Sequence, residues 1–145
     1  MKSFYSLLFA AILFSSCSGS ADSKVPELAD EMCGCFDSFE KSLSADAQAL
    51  MKTVATADNP QTAMMTGISK LKQEDALAFS EKLKSIGVKG SPVAACMENF
   101  DKKHSKETTK DKKALMEKLL KAMRDKGNCP AGAAIVSLGL KQGVL

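Results

Sequence analysis

Apolar residues recur every three or four positions along most of the chain, which is the spacing of helices with one buried face. Helix-forming Ala, Leu, Met, Lys, Glu and Gln dominate the sequence after residue 25. No alternating apolar and polar run of strand length occurs there. The pattern predicts an all-α fold, a small disulfide-stapled bundle of about five helices that forms one domain over residues 26–145.

Prolines and capping residues predict where the helices begin and end. Pro26 and Pro60 each suit a first helical turn. The helix that begins at Pro60 is expected to continue to Ile86, with a kink near Gly67 or Gln73. Further boundaries are expected at Ser42 or Ser44, Gly87, Ser91, Gly127 and Asn128.

The second half of the chain is expected to hold three more helices. An apolar stripe follows Pro92, fades over residues 102–109 and resumes at Leu115, so a break is predicted at 106–110. Residues 131–140 are nearly all apolar, yet this run is too short to cross a membrane. It is therefore predicted to be a last helix buried in the core.

The first sixteen residues have the layout of a secretory signal peptide. Met1 and Lys2 give a positive start, residues 4–14 are apolar apart from Ser6, and small residues lead to Cys17. The apolar run is about half of the roughly 20 residues that a transmembrane helix needs. A cleaved export signal is therefore the better interpretation than a membrane span.

The segment Leu13-Phe14-Ser15-Ser16-Cys17 resembles the lipobox of bacterial lipoproteins, with Phe14 where Leu is usual. The resemblance implies cleavage before Cys17, a thioether-linked diacylglyceryl group on its sulfur and an acyl chain, such as palmitate, on its amino group. An ordinary signal peptide with an incidental Cys17 is the alternative.

The resemblance also bears on the location of the protein in the cell and on how the domain is attached to the membrane. Ser18 stands where Asp signals retention in the inner membrane of some Gram-negative bacteria, so the outer membrane is the expected location. The residues that follow are small and polar, so 17–25 are predicted to be a lipidated cysteine and flexible tether after a 1–16 signal peptide. The domain itself would lie in the cell envelope.

Four cysteines remain in the mature chain, and an even number in an exported protein predicts disulfides. Cys33 and Cys35, two residues apart on one helix, point about 200° apart, so each needs a distant partner. Cys96 and Cys129 are the two available, which leaves two connectivities open.

The apolar stripes favour one connectivity weakly. Cys35 shares the stripe of Phe36, and Cys96 shares that of Phe100, which is the arrangement of two helices linked face to face. The favoured pairs are Cys35 with Cys96 and Cys33 with Cys129.

A thiol redox or metal-handling role for Cys33 and Cys35 is the main alternative. Acidic neighbours such as Glu31 and Asp37 oppose a thiolate, and the paired Cys-x₂-Cys spacing of zinc fingers is missing. His104, the single histidine, is expected to be an exposed helix residue and not a ligand or base. No cofactor or metal site is predicted.

Charge is unevenly distributed. Residues 22–46 carry seven acidic residues and two lysines, whereas 102–126 carry ten Lys or Arg and four acidic residues. The basic segment 102–126 is either a solvated face, partly neutralised by the acidic first helix, or a surface for an anionic membrane, glycan or envelope protein. No nucleic-acid-binding motif is present, so nucleic acid is not an expected partner.

The sequence contains no Gly-x-Ser-x-Gly, phosphate-loop or His-Glu-x-x-His motif, so it gives little support for catalysis. The predicted function is therefore that of a membrane-anchored envelope lipoprotein with a structural or binding role and no enzymatic activity. Besides the thiol or metal alternative, a helical bundle whose apolar core binds a small lipid-like molecule is a third hypothesis.

Overall fold

The computed structural model describes residues 22–108 and 111–143. Every regular element in this part of the chain is helical, which confirms the all-α prediction. The signal segment and Cys17 lie outside the described residues. A 3-10 turn at Asp22–Lys24 precedes α1 to α8, which are Val25–Ser42, Ala45–Thr56, Pro60–Ile68, Gln73–Ile86, Pro92–Lys103, Ser105–Thr108, Lys112–Lys126 and Pro130–Gln142.

The expected number of about five helices is wrong. Apart from the four-residue turn α6, seven helices occur in the described ranges, partly because the predicted helix from Pro60 to Ile86 is two helices. Two short-range bonds end α3, from Lys70 N to Gly67 O at 3.0 Å and from Leu71 N to Ile68 O at 3.1 Å. Leu71 then packs against the core, and α4 begins at Gln73.

Side-chain caps fix the starts of several helices. In each, the residue immediately before the helix accepts a hydrogen bond, through its side chain, from the backbone N–H three residues further along the chain, at 2.9–3.4 Å. Such a cap contributes about 1 kcal/mol to helix stability. The capping residues are Ser44, Asn59, Ser91 and Asp111.

The last residues of the predicted tether, 17–25, are helical. Residues 22–24 form a 3-10 turn, and Val25 is buried as the first residue of α1. Burial of an apolar side chain favours order at this position, whereas a tether stays solvated. Helical structure is therefore present before Pro26 in the described part of the chain.

Helix α8 is central to the bundle. It contacts α1, α2, α3 and α7. Five consecutive residues at its start, 130–134, lie in the core, and Val136 is buried after one partly buried position. Most of these residues are Ala or Gly, whose small side chains let neighbouring helices approach closely. The apolar run near the end of the sequence is thus a buried helix, as predicted.

Gly132 is one place where this close approach leaves no room for a side chain. A Cβ at Gly132 would lie 2.6 Å from Cys129 Sγ and 3.0 Å from Phe36 Cδ2. The Cys129 sulfur is held in a disulfide and Phe36 is buried, so neither can move easily. The contact between α8 and α1 at this point therefore requires glycine.

We expect Gly132→Ala to lower the free energy of unfolding by about 1–3 kcal/mol, because overpacking shifts a constrained core. Gly34→Ala is the matched control, since a Cβ at this exposed mid-helix position meets no atom within 4 Å. Alanine is the better helix former, so this control should gain about 0.5–1 kcal/mol. Urea denaturation of both variants measures the difference, and a stability change of the same sign in both would contradict the packing argument.

Candidate functional site

Two disulfides organise the region around α1. Cys33 is bonded to Cys129 and Cys35 to Cys96, with Cα–Cα distances of 5.6 Å and 5.4 Å. This is the connectivity that the sequence favoured. The first joins α1 to the residue that precedes α8, and the second joins α1 to α5.

The spacing of the two cysteines explains why α1 is held on two sides. Residues two apart on a helix project in nearly opposite directions, so Cys33 and Cys35 reach different neighbours. Cys35 is 4% exposed and Cys129 is 2% exposed, while Cys33 and Cys96 are partly exposed. Each bridge thus has one sulfur in the core and one near the surface.

A small polar cleft of about 150 Å³ lies over the Cys33–Cys129 bridge. On its wall, Glu40 Oε2 accepts a 3.1 Å hydrogen bond from Ala131 N, in the first turn of α8. Helix α8 has no side-chain cap of its own, so Glu40 satisfies one of its free N–H groups. This hydrogen bond therefore holds the start of α8 against α1, as the Cys33–Cys129 disulfide also does.

Thiol and metal chemistry would need Cys33 and Cys35 in another state. Both sulfurs are bonded to other cysteines, so the two residues do not form a dithiol pair here. Within residues 22–108 and 111–143, no three His, Cys, Asp or Glu side chains are grouped so that they could hold a metal ion.

A polar cluster that the sequence analysis missed joins α1 to the end of α5. Lys103 Nζ donates to both carboxylate oxygens of Glu31, at 2.8 Å and 2.9 Å, and His104 Nε2 lies 2.9 Å from Glu31 Oε2. The His104 ring also packs against Phe100, with 4.8 Å between ring centroids. Hydrogen bonds from Lys103 and then from His104 lower the pKa of Glu31.

The prediction of an exposed His104 is therefore wrong. Its side chain is 15% exposed and it occupies the C-cap of α5. The position of His104 could have been inferred from the favoured disulfide, because a bond between Cys35 and Cys96 brings α1 and α5 together. Because the helices run antiparallel, Glu31, one turn before Cys35, lies beside a residue about two turns after Cys96.

We expect Glu31→Gln to be less stable than the native chain at neutral pH by at most about 1 kcal/mol, since exposed ion pairs contribute 0.2–1 kcal/mol. The folded-state pKa of Glu31 is depressed, so its contribution is complete above the unfolded pKa of about 4.3 and is lost as the pH falls through the folded pKa. The difference between variant and native chain should therefore vanish in acid.

Urea midpoints measured from neutral to acidic pH test this expectation. Glu81→Gln is the control, because Glu81 is exposed and forms no ion pair with another described residue. A constant offset between Glu31→Gln and the native chain at all pH values would show that the loss is not electrostatic.

The basic segment 102–126 is partly neutralised inside the fold. Lys103 pairs with Glu31, and Lys126 Nζ lies 2.6 Å from Asp30 Oδ2, so both bind carboxylates of α1. Lys121 pairs with Asp125 on the same helix at 2.5 Å. Through these two ion pairs, carboxylates of the acidic helix α1 neutralise part of the positive charge of the basic segment.

None of the helices in the described ranges is both long enough and apolar enough to cross a membrane. Comparisons with protein-family models, with curated proteins and with solved structures found no match to this chain.

Proposed function

We propose that this protein is a lipid-anchored protein of the cell envelope, and that its helical domain works by binding or structural association. The observation that supports this best is the pair of disulfides that consumes all four cysteines of the folded region. Disulfides persist in oxidising compartments such as the bacterial periplasm and the cell surface. They agree with the export signal and lipobox that residues 1–17 resemble.

The proposed anchor is the acylated Cys17. Several acyl chains hold a protein firmly in a bilayer, because each buried CH₂ contributes about 0.8 kcal/mol. From Cys17 to the first turn at Asp22 there are only a few residues, and an extended residue spans at most about 3.6 Å. The start of α1 would therefore stay close to the membrane surface.

Metabolic labelling tests the anchor. The full chain, expressed in a Gram-negative bacterium with an alkyne-tagged palmitate, should incorporate the label, and Cys17→Ser should abolish it. Ser20→Ala is the control, because it alters the tether and leaves the lipobox intact. Equal labelling of the native chain and Cys17→Ser would overturn the proposal of a lipid anchor at this residue.

The membrane can be identified with one further variant. The native chain should sediment with outer membranes, because Ser18 follows the lipidated cysteine. Ser18→Asp should move the protein to the inner membrane in a bacterium that uses this retention signal. Native protein found mainly in the inner membrane would contradict the proposed location in the outer membrane.

The partner surface of the basic segment is proposed to lie at the start of α7. Lys112 and Lys113 are exposed and form no ion pair with any residue that the structure describes, in contrast to Lys103 and Lys126. Unpaired lysines remain available to an anionic membrane surface or to an acidic envelope protein.

A thiol redox or metal-handling protein is the alternative function. Alkylation of free thiols in the denatured, non-reduced chain distinguishes this alternative from a structural or binding role. A structural role predicts no free thiol in the folded domain, whereas reactive Cys33 and Cys35, or a bridge between them, would favour the alternative.

A further inference from the structure

A cleft of about 380 Å³ lies between α7, α8 and the loop that follows α2. Its walls combine apolar side chains with charged groups of both signs, and three of those groups are cations. Ligand sites typically have volumes of about 300–1,000 Å³, so a small molecule fits. The lining residues are Ala57, Asp58, Lys113, Glu117, Leu120, Arg124, Ser137, Leu140 and Lys141.

Arg124 is held in a fixed orientation on the wall of this cleft. Its Nε donates to Ala55 O at 2.5 Å, at the end of α2, and its Nη2 donates to Ser137 Oγ at 3.2 Å, on α8. Ser137 is 4% exposed, so one anchor of the guanidinium is itself buried. These bonds use two of the five guanidinium N–H groups, so three remain for a ligand. Because the side chain is already ordered, it loses less conformational entropy when a ligand binds.

The other two cations of the cleft are not neutralised by the fold. Lys113 and Lys141 form no ion pair with any residue of the described ranges. The carboxylates of Asp58 and Glu117 form none there either, so the lining keeps an excess of one positive charge. Because α7 and α8 run antiparallel, Lys113 near the start of one faces Lys141 near the end of the other.

An apolar surface accompanies the charge. Leu120 and Leu140 belong to the lining together with Ala57, so an anionic group held by the cations would have apolar surface beside it. Burial of an alkyl chain there would remove apolar area from water. The combination matches a molecule with an anionic end and a short apolar part.

We propose that this cleft binds a small anionic amphiphile, a phosphate or carboxylate that carries a short alkyl chain. The inference rests on the proposed binding role and gives it a site and a ligand chemistry. It also moves the hypothesis of lipid-like ligand binding from the apolar core to a charged cleft at the surface. The same chemistry is found in membrane lipids and in free metabolites, so the test includes both sources.

Hexyl phosphate is the probe, added to the full lipidated chain in phosphatidylcholine nanodiscs. Methyl NMR signals of Leu120 and Leu140 should shift in a saturable way with a Kd of about a millimolar or tighter, while the buried Leu119 stays unchanged. Hexanol, which lacks the anion, should bind at least about tenfold more weakly, because charged hydrogen bonds are the strong ones. Nanodiscs that contain phosphatidic acid, with no probe, should shift the same signals if the source is a lipid.

Two double variants test the role of charge. Lys113→Gln with Lys141→Gln should weaken hexyl phosphate binding by at least about tenfold, which two charge-assisted contacts can account for. Lys84→Gln with Lys89→Gln removes the same charge from exposed positions outside the cleft and should change binding less than about twofold. Arg124 is left intact, because its bonds also hold α2 and α8.

Three outcomes would overturn the proposal: no shift of the Leu120 and Leu140 methyl signals, equal binding of hexanol, or equal losses in the two double variants. None of these would affect the labelling result for Cys17. A failure of this inference is therefore distinct from a failure of the proposed anchor.

Discussion

Replacing Cys33 and Cys129 together by alanine is expected to lower the free energy of unfolding by about 4–5 kcal/mol. The two residues are 96 positions apart, and a bridge over such a loop removes much of the conformational freedom of the unfolded chain. Alanine is preferred over serine because Cys129 is buried, and a buried hydroxyl without a partner adds a penalty of its own.

The loss is large relative to the 5–15 kcal/mol by which a typical domain is stable. In a circular-dichroism melt, the variant should unfold roughly 15–25 °C below the native chain. Reductant added to the variant should lower its Tm again, because Cys35–Cys96 closes a loop of similar size, with a separation of 61 residues.

Comparison of the two bridges separates chain entropy from native contacts. Chain entropy alone predicts losses that differ by only about 0.5 kcal/mol between the two double alanine variants. A much larger loss for Cys33 and Cys129 would mean that their bridge also holds α8 in place. An unchanged melt in reductant would show that neither bridge stabilises the fold.

Phe79→Ala is expected to cost about 3–5 kcal/mol, the second large effect. Phe79 is 1% exposed and is the one residue of α4 that is fully buried. It lies near Leu43 and Ala47, at the connection between α1 and α2. Lys82 of the same helix donates a hydrogen bond to Ser42 O. Phe79 is therefore the most deeply buried apolar contact of α4, beside the partly buried Leu83 and Ile86, which also pack against the core.

Leu77→Ala is the matched control on the same helix. Leu77 is 61% exposed, so its truncation should change stability by no more than about 0.5 kcal/mol. Chemical denaturation gives both values, and hydrogen exchange locates the effect. In Phe79→Ala the amides of α4 should lose more protection than those of α8, because α4 has few other buried contacts. Equal destabilisation by the two variants would contradict this account of how α4 is held.

Much of this architecture is present in local sequence signals. Ser44, Asn59 and Ser91 start helices because their side chains satisfy backbone N–H groups a few residues ahead, and this needs no tertiary contact. Gly127 ends α7 with a φ of 65°, a conformation that glycine adopts at little cost. The spacing of Cys33 and Cys35 likewise excluded a bridge between them through helix geometry alone.

The break between α3 and α4 was predicted only in part, because the sequence indicated a kink near Gly67 or Gln73 and not two separate helices. No proline interrupts residues 69–72, and good helix formers lie on both sides. The chain turns there because Leu71 gains contact with the core, and Phe79 gains burial beside α1 and α2. Tertiary packing outweighs local propensity at this point.

What the sequence determined by itself was the helical class, most of the helix starts and the need for two long-range bridges, because each depends on residues within a few positions of one another. The tertiary structure alone decided the contacts between remote residues. Glu31 meets Lys103 and His104, and Arg124 reaches Ala55, 69 positions away, only because packed helices bring them together. The candidate ligand cleft likewise depends on tertiary structure, because its cations lie on both α7 and α8 and its apolar residues, Leu120 and Leu140, come together only when these helices pack.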